Sequence, residues 1–555
     1  MNKKVCSFPI LFALLALLIG TCAVVFPASA QAAPTSTGSI TVSGTVARSY
    51  DAYQIFSANV VDGDSDAKIA TDLAWASDAV RDAALPVLHS AGMPNSQTTA
   101  REAAEWLNTD SHLTSALSAQ LARSLQSSGA VSVALNAGTT AELPCGYWLI
   151  VADDDAISQN EAGTAPIMAL VGGTAVTVKP KAATPKVSKH VLEDSTAAWQ
   201  KAADATVADD LYWRLSATVP AGLTAYDTYT VRFVDTMSAG LDPSKVAASM
   251  RVYVAAGADG GFDAVSAGKD GRAGTDPAKG WTDITAQCAT KVAADGTFTV
   301  RTGDLIAALG GADAFAAGAR VVAVYNAPLN GACNHGIAKG NPNEVYLRYP
   351  RSPFADQSGD AGFTRTPSDD ACAYTWDLAL TKRGSDGDKP LAGAVLSIAD
   401  DRGRTLAADG TWDAEGKATV TTGEDGRVTV SGVDSGKLEV RELKAPKGYA
   451  AFEGTRSVTV KAEGLDVDQV AAAKPKLTIT AESPLRADSA DGSTGSLEAS
   501  LINTPTGTPP SITTGGFMPS TGDMAMYAAA AAAVAGAALI VVALLVKRGG
   551  GSHKE

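Results

Sequence analysis

The chain has 555 residues, 19% charged and 46% hydrophobic, with a net charge of −14. That length accommodates three or four domains with their own cores, and an acidic chain with few basic clusters is a poor nucleic-acid binder. Its five His and six Cys show no zinc spacing, and it has neither a phosphate-cradling glycine loop nor a G-x-S-x-G elbow. This argues against a metal, nucleotide or serine-hydrolase enzyme.

At the N-terminus, Lys3 and Lys4 precede an apolar run over 10–25, and Ala28-Ser29-Ala30 forms a small-residue cleavage site. Residues 1–30 therefore read as a secretory signal peptide, with Ala33 as a second cleavage point. The exported chain keeps Cys145, Cys288, Cys333 and Cys372 in a compartment where disulfides form. Their pairing, or their persistence as free thiols, stays open.

Beyond the signal, short alternating runs recur between Gly, Asp, Asn and Pro: SITVSGTV (39–46), YTVRFV (229–234), RVVAVY (320–325) and KLEVR (437–441). They predict a mainly β chain of tandem immunoglobulin-like sandwiches. Residues 98–128, rich in Ala, Leu, Glu and Gln, predict one or two helices inserted in the first domain. Breaks at KPKAATP (179–185) and at 353–373 divide the chain into domains 32–181, 182–372 and 373–504. A Thr, Pro and Gly-rich linker follows over 505–517, then a tail, 518–555.

In the third domain, Trp376, Leu378 and Leu380 alternate into Lys382; Leu497, Ala499 and Leu501 alternate into Asn503; Leu438 and Val440 lead into Glu442. Period-two geometry places a Lys, an Asn and a Glu on apolar strand faces. Burying them unpaired is costly, and desolvation lowers a lysine pKa and raises a glutamate pKa. A neutral amine can attack the Asn503 carbonyl while a protonated Glu442 polarises it and passes a proton to the leaving ammonia. The product is a Lys382–Asn503 isopeptide bond. Glu442-Leu-Lys-Ala-Pro-Lys-Gly-Tyr449 resembles the E-x-x-A-P-x-G-Y box of collagen-adhesin B-type domains, in which such a bond is expected.

The middle domain repeats the pattern. Lys189 lies between Val187 and Val191 on one strand face, and Val231 and Phe233 alternate into Asp235 within FVDTMSAGL (233–241). This stretch resembles one in the middle domain of Gram-positive shaft pilins, where the Asp is catalytic for a Lys–Asn bond. Asn343 shares a face with Val345, Leu347 and Tyr349 and is the preferred partner of Lys189; Asn330, Asn326 and Asn341 remain alternatives. The first domain holds a worn box, ELPCGY (142–147), without a lysine in its first strand, so no bond is expected there and Glu142 reads as a surface residue.

The first domain ends in VTVKPK (176–181), similar to the pilin motif of shaft pilins, with Lys181 at the reactive position and Lys179 and Lys186 as alternatives. At the other end, Met518-Pro519-Ser520-Thr521-Gly522 precedes an uncharged run, 524–546, long enough to span a bilayer, and then Lys547 and Arg548. This order resembles the L-P-x-T-G cell-wall sorting signal of Gram-positive surface proteins, with Met518 in place of Leu. In that family sortase cuts after the threonine, here between Thr521 and Gly522, holding its carbonyl as a thioester that an amine resolves.

Together these features resemble a major fimbrial subunit. The resemblance implies a non-enzymatic backbone of a covalent surface pilus, with Thr521 of one copy joined to Lys181 of the next. It implies export, transient membrane anchoring through the C-terminal span, and residence in the wall or pilus at the cell surface. Sortase, identical subunits and peptidoglycan are the expected partners, with room for accessory pilins and a host surface ligand; no nucleic acid, cofactor or metal is expected. A wall-anchored or pilus-tip adhesin that does not polymerise is the alternative.

Overall fold

The computed structural model describes residues 36–507, apart from 45–47, 65–66, 110, 154–156, 158, 181–183, 221–222, 257–279 and 316–318. Six sheets follow one another in three pairs along the chain, and none mixes strands from different pairs. The architecture is mainly β in tandem sandwiches, as the alternating runs predict.

In the first module, Thr37–Val42 lies between antiparallel Thr140–Pro144 and parallel Val176–Val178. The facing five-stranded sheet is built on Ser49–Asp62 and Gly146–Ala152. Gly146–Ala152 is buried almost throughout because both its faces are covered. Trp148 and Ile150 face the small sheet with Ile40 and Val42, while Leu149 and Val151 pack against helices.

Those helices are three, Asp78–Ser90, Ala100–Leu107 and Ser115–Ser128, so the helical region starts earlier than the predicted 98–128. The extra helix carries an internal Pro86 and buries Val80, Ala83, Ala84 and Leu88. Packing against the sheet outweighs the poor local propensity. Ala100–Leu107 opens with a full capping box between Thr99 and Glu102.

The middle module packs a six-stranded sheet, centred on Val187–Glu193, Tyr212–Thr218 and Arg320–Asn326, against a seven-stranded sheet centred on Asn341–Pro350 and Arg232–Met237. Trp213, Phe233, Phe298 and Leu347 fill the space between them. The strand predicted at 229–234 begins only at Arg232. Upstream, the Tyr229 and Val231 N–H groups donate to the side chains of Asp304 and Thr302, so side chains take the place of a neighbouring strand.

The third module sets a four-stranded sheet, ordered Arg427–Val433, Trp376–Gly384, Ser496–Asn503, Leu485–Asp491, against a sheet built on Gly436–Lys444 and Thr455–Glu463. Its first and last strands are parallel neighbours. All four described cysteines are free thiols, with Cys145 and Cys372 buried.

Polar contacts link the modules. Tyr349 donates to the Glu161 carbonyl, and Arg123 pairs with Asp227 at 2.7 Å. Between the second and third modules, Arg404 and Arg402 bind Asp209, and Asp204 accepts from Trp376 and Ser435. No helix among the described residues is long and apolar enough to cross a membrane; 524–546 lies outside them.

Candidate functional site

The third module brings Lys382, Glu442 and Asn503 together inside the sandwich, at 0%, 6% and 2% exposure. Lys382 and Asn503 sit on the parallel first and last strands, where Lys382 pairs with Leu501 and Gly384 with Asn503. Glu442 projects from the facing sheet. The Lys382 amine donates to the Asn503 carbonyl oxygen and lies 3.2 Å from Glu442 Oε1. The Asn503 amide nitrogen donates to both Glu442 oxygens at 2.9 and 3.0 Å. One carboxylate therefore touches both the nucleophile and the group that would leave.

The A-P-x-G-Y turn holds the end of the last strand. Gly448 adopts φ 87°, a left-handed conformation that suits glycine, and its carbonyl accepts from the Thr506 N–H at 2.8 Å. Tyr449 bridges to Pro505, and Ala450 N–H donates to the Thr504 carbonyl. The box thus pins the residues immediately after Asn503.

Burial lowers the Lys382 amine to about 8, with Glu442 opposing the shift. An amine of pKa about 8 is roughly one-tenth neutral at pH 7, some 300-fold more than an ordinary lysine.

The middle module brings Lys189, Asp235 and Asn343 together, each at 0% exposure. Here the groups come from opposite sheets. Lys189 belongs to the six-stranded sheet, while Asp235 and Asn343 sit on adjacent strands of the other, with Asp235 opposite Val345 and Met237 opposite Asn343. The Lys189 amine pairs with Asp235 Oδ2. Burial lowers Lys189 to about 8 and raises Asp235 to about 6; each opposes the other's shift.

A fourth member is Tyr325, which the sequence reading did not assign a role. Its hydroxyl touches Lys189 Nζ at 2.8 Å, Asp235 Oδ2 at 3.1 Å and Asn343 Nδ2 at 2.9 Å. The available signal was its alternation with Val321 and Ala323, which puts a hydroxyl on an apolar face. Trp213 and Tyr325 lie 5.5 and 5.4 Å from the lysine amine, over their ring faces. Lys201 braces the strand by donating to the Lys189 carbonyl at 2.8 Å and pairing with Asp369, which also accepts the Lys189 N–H at 2.7 Å.

The alternative asparagines are engaged elsewhere. Asn341 exchanges hydrogen bonds with the Asn334 backbone, Asn326 bonds Leu211 N–H and Asp210, and Asn330 bonds Ala239 and Ala332. In the first module Glu142 is exposed and accepts from Ser39. Lys179 and Lys186 are exposed. Lys181 lies outside the described residues, as do the signal peptide and Met518, Pro519, Ser520, Thr521 and Gly522.

Residues 377–474 match the SpaA prealbumin-like fold domain family. The chain is 30% identical over 143 residues to the trypsin-resistant surface T6 protein of Streptococcus pyogenes serotype M6; the match spans 24% of each chain, about a quarter of the curated relative's length. Among solved structures, the chain is similar to the T6 backbone pilin of serotype M6 Streptococcus pyogenes, with 17% identity, TM-score 0.45, 85% of this chain and 98% of that one covered. It is also similar to the full-length major pilin SpaD of Corynebacterium diphtheriae, with 16% identity, TM-score 0.40 and coverage of 86% and 100%.

Proposed function

We propose that the chain is the structural backbone subunit of a covalent surface pilus, in which sortase joins the Thr521 carbonyl of one copy to the Lys181 amine of the next. Intramolecular Lys189–Asn343 and Lys382–Asn503 bonds stabilise each subunit, with Asp235 and Glu442 as the acids that close them. The observation that carries the reading is the pair of buried Lys, acid and Asn clusters in two successive sandwiches. In each, the net step is the same. The neutral amine adds to the asparagine Cγ, the Cγ–Nδ2 bond breaks, and one proton passes from Nζ to the departing nitrogen, which leaves as ammonia.

The placement of the clusters suits a load-bearing rod. Tension along a head-to-tail fibre enters the third module through the first strand and leaves through the last, towards Thr521. A Lys382–Asn503 bond carries that load directly, and the chain between them is spared. A Lys189–Asn343 bond does the same for the middle module by tying its two sheets. Such ties raise kinetic stability against force and proteases, in keeping with the trypsin resistance for which the surface relative is named.

The test is an immunoblot of surface extracts boiled in detergent, comparing the parent with Lys181→Ala. A high-mass ladder in the parent that collapses to monomer in the variant is expected. A monomer band in both removes the backbone reading and leaves a wall-anchored adhesin. A ladder that survives the substitution assigns the amine to another lysine, with exposed Lys179 and Lys186 first.

A further inference from the structure

The two clusters differ in how the acid reaches the leaving group. In the third module Glu442 is hydrogen-bonded to the Asn503 nitrogen by both oxygens. In the middle module Asp235 is one methylene shorter. Its Oδ2 takes Lys189 Nζ and the Tyr325 hydroxyl, while Oδ1 is buried without a hydrogen-bond partner. The Asn343 nitrogen donates to Tyr325, and the Asn343 carbonyl oxygen is buried and unpartnered.

We propose that the Tyr325 hydroxyl is a catalytic proton relay for the middle-module bond, carrying a proton from Asp235 to the departing Asn343 nitrogen. The proposal rests on the isopeptide reading above. A tyrosine hydroxyl offers one donor and two acceptor sites, and all three are used here: it donates to Asp235 and accepts from Lys189 and Asn343. As Lys189 Nζ adds to Asn343 Cγ, Asp235 takes the proton from Nζ. Tyr325 gives its own proton to Nδ2 and is reprotonated by Asp235. The net result is one proton moved from Nζ to Nδ2, one C–N bond formed, one broken, and ammonia released. Burial raises the Tyr325 pKa well above its usual value, which keeps the hydroxyl protonated and fit to donate. The ring is fixed by an edge contact with Phe298 at 4.8 Å, so the hydroxyl does not swing out of line.

The test uses the full chain with Tyr325→Phe, which keeps the ring and removes only the hydroxyl. After synthesis, samples are denatured and digested over time. The peptide joining Lys189 to Asn343 is then quantified against the one joining Lys382 to Asn503. The expected result is a middle-module bond that forms about 100-fold more slowly, the scale of one positioned acid–base group, with the third-module bond unchanged. Adding Asp235→Glu to that variant lengthens the acid as in the third module and is expected to restore closure. A parent without the Lys189–Asn343 peptide overturns the isopeptide reading and the relay together. A parent that has it, beside a Tyr325→Phe chain closing at the same rate, overturns the relay alone. If Tyr325→Phe loses both bonds through misfolding, the double variant decides where its third-module bond forms: there a restored middle bond supports the relay, and its absence overturns it.

Discussion

A chain carrying Glu442→Ala is expected to keep the ammonia of Asn503 and to unfold its third module roughly 10–20 °C below the parent. Two effects add. Without the carboxylate, no group near Lys382 and Asn503 moves a proton from the amine to the amide, so the bond does not close. A cross-link between residues 121 apart restricts the unfolded chain by about 5 kcal/mol in the loop-entropy account. The unreacted Lys382 then stays at 0% exposure without its acid, and a buried amine that has lost its counter-charge destabilises further. Glu442→Gln separates chemistry from shape, since it preserves the hydrogen-bonding outline but cannot hold the proton; it is expected to block the bond with a smaller loss of packing. Intact mass counts retained ammonia, and calorimetry reads the transition. In the parent, closure in freshly folded chain should accelerate from pH 6 to pH 8, because Lys382 titrates at about 8 and only the neutral amine attacks. A Glu442→Ala chain that loses the same ammonia as the parent would sink the assignment of Glu442.

What was legible in the sequence is what a strand's period of two encodes. Lys382, Asn503 and Glu442 each end an alternating apolar run, and the structure buries all three on the inner faces. Lys189, Asp235 and Asn343 were read in the same way and also meet. Tyr325 escaped because a tyrosine on an apolar face passes for core. Its role depends on three partners from other strands, and no local pattern reports them. The helix Asp78–Ser90 escaped because Pro86 argues against it locally while a sheet face supports it. The ends of the chain are the reverse case: their motifs are the plainest in the sequence, and they lie outside the described residues. Least legible was the junction between the second and third modules, where Glu193, Asp204 and Asp434 converge from separate stretches.

That junction should tighten in acid. Asp204, 2% exposed, accepts from Trp376 Nε1 at 2.6 Å and from the Ser435 hydroxyl at 2.6 Å, tying the middle module to the third. Beside it, burial and the Asp204 charge push Glu193 up to about 7. Asp434 is raised well above its usual range, by burial first and then by the charges of Asp204, Asp194 and Glu193. Burial also raises Asp194, although Arg402 opposes the shift. Arg402 and Arg404 are held by Asp209. A carboxyl whose folded pKa lies above its unfolded value binds more protons when folded. Its stabilising effect is therefore complete below the unfolded value, near 4.5 for Glu193, and is lost as pH rises towards 7. The surface carboxylates with lowered pKa, such as Asp360 and Asp386, stay ionised between pH 5 and 8 and add no slope there. The transition covering the middle and third modules is thus expected to fall by about 5–10 °C from pH 5 to pH 8. Glu193→Gln imitates the protonated acid and should flatten that slope while leaving the pH 5 value nearly unchanged. Scanning calorimetry of both chains across this range gives the answer, and a Glu193→Gln chain with the parent's slope would assign the effect elsewhere. In a fibre built as proposed, such a junction makes the rod stiffer where its surroundings are acidic, independently of the covalent ties inside each module.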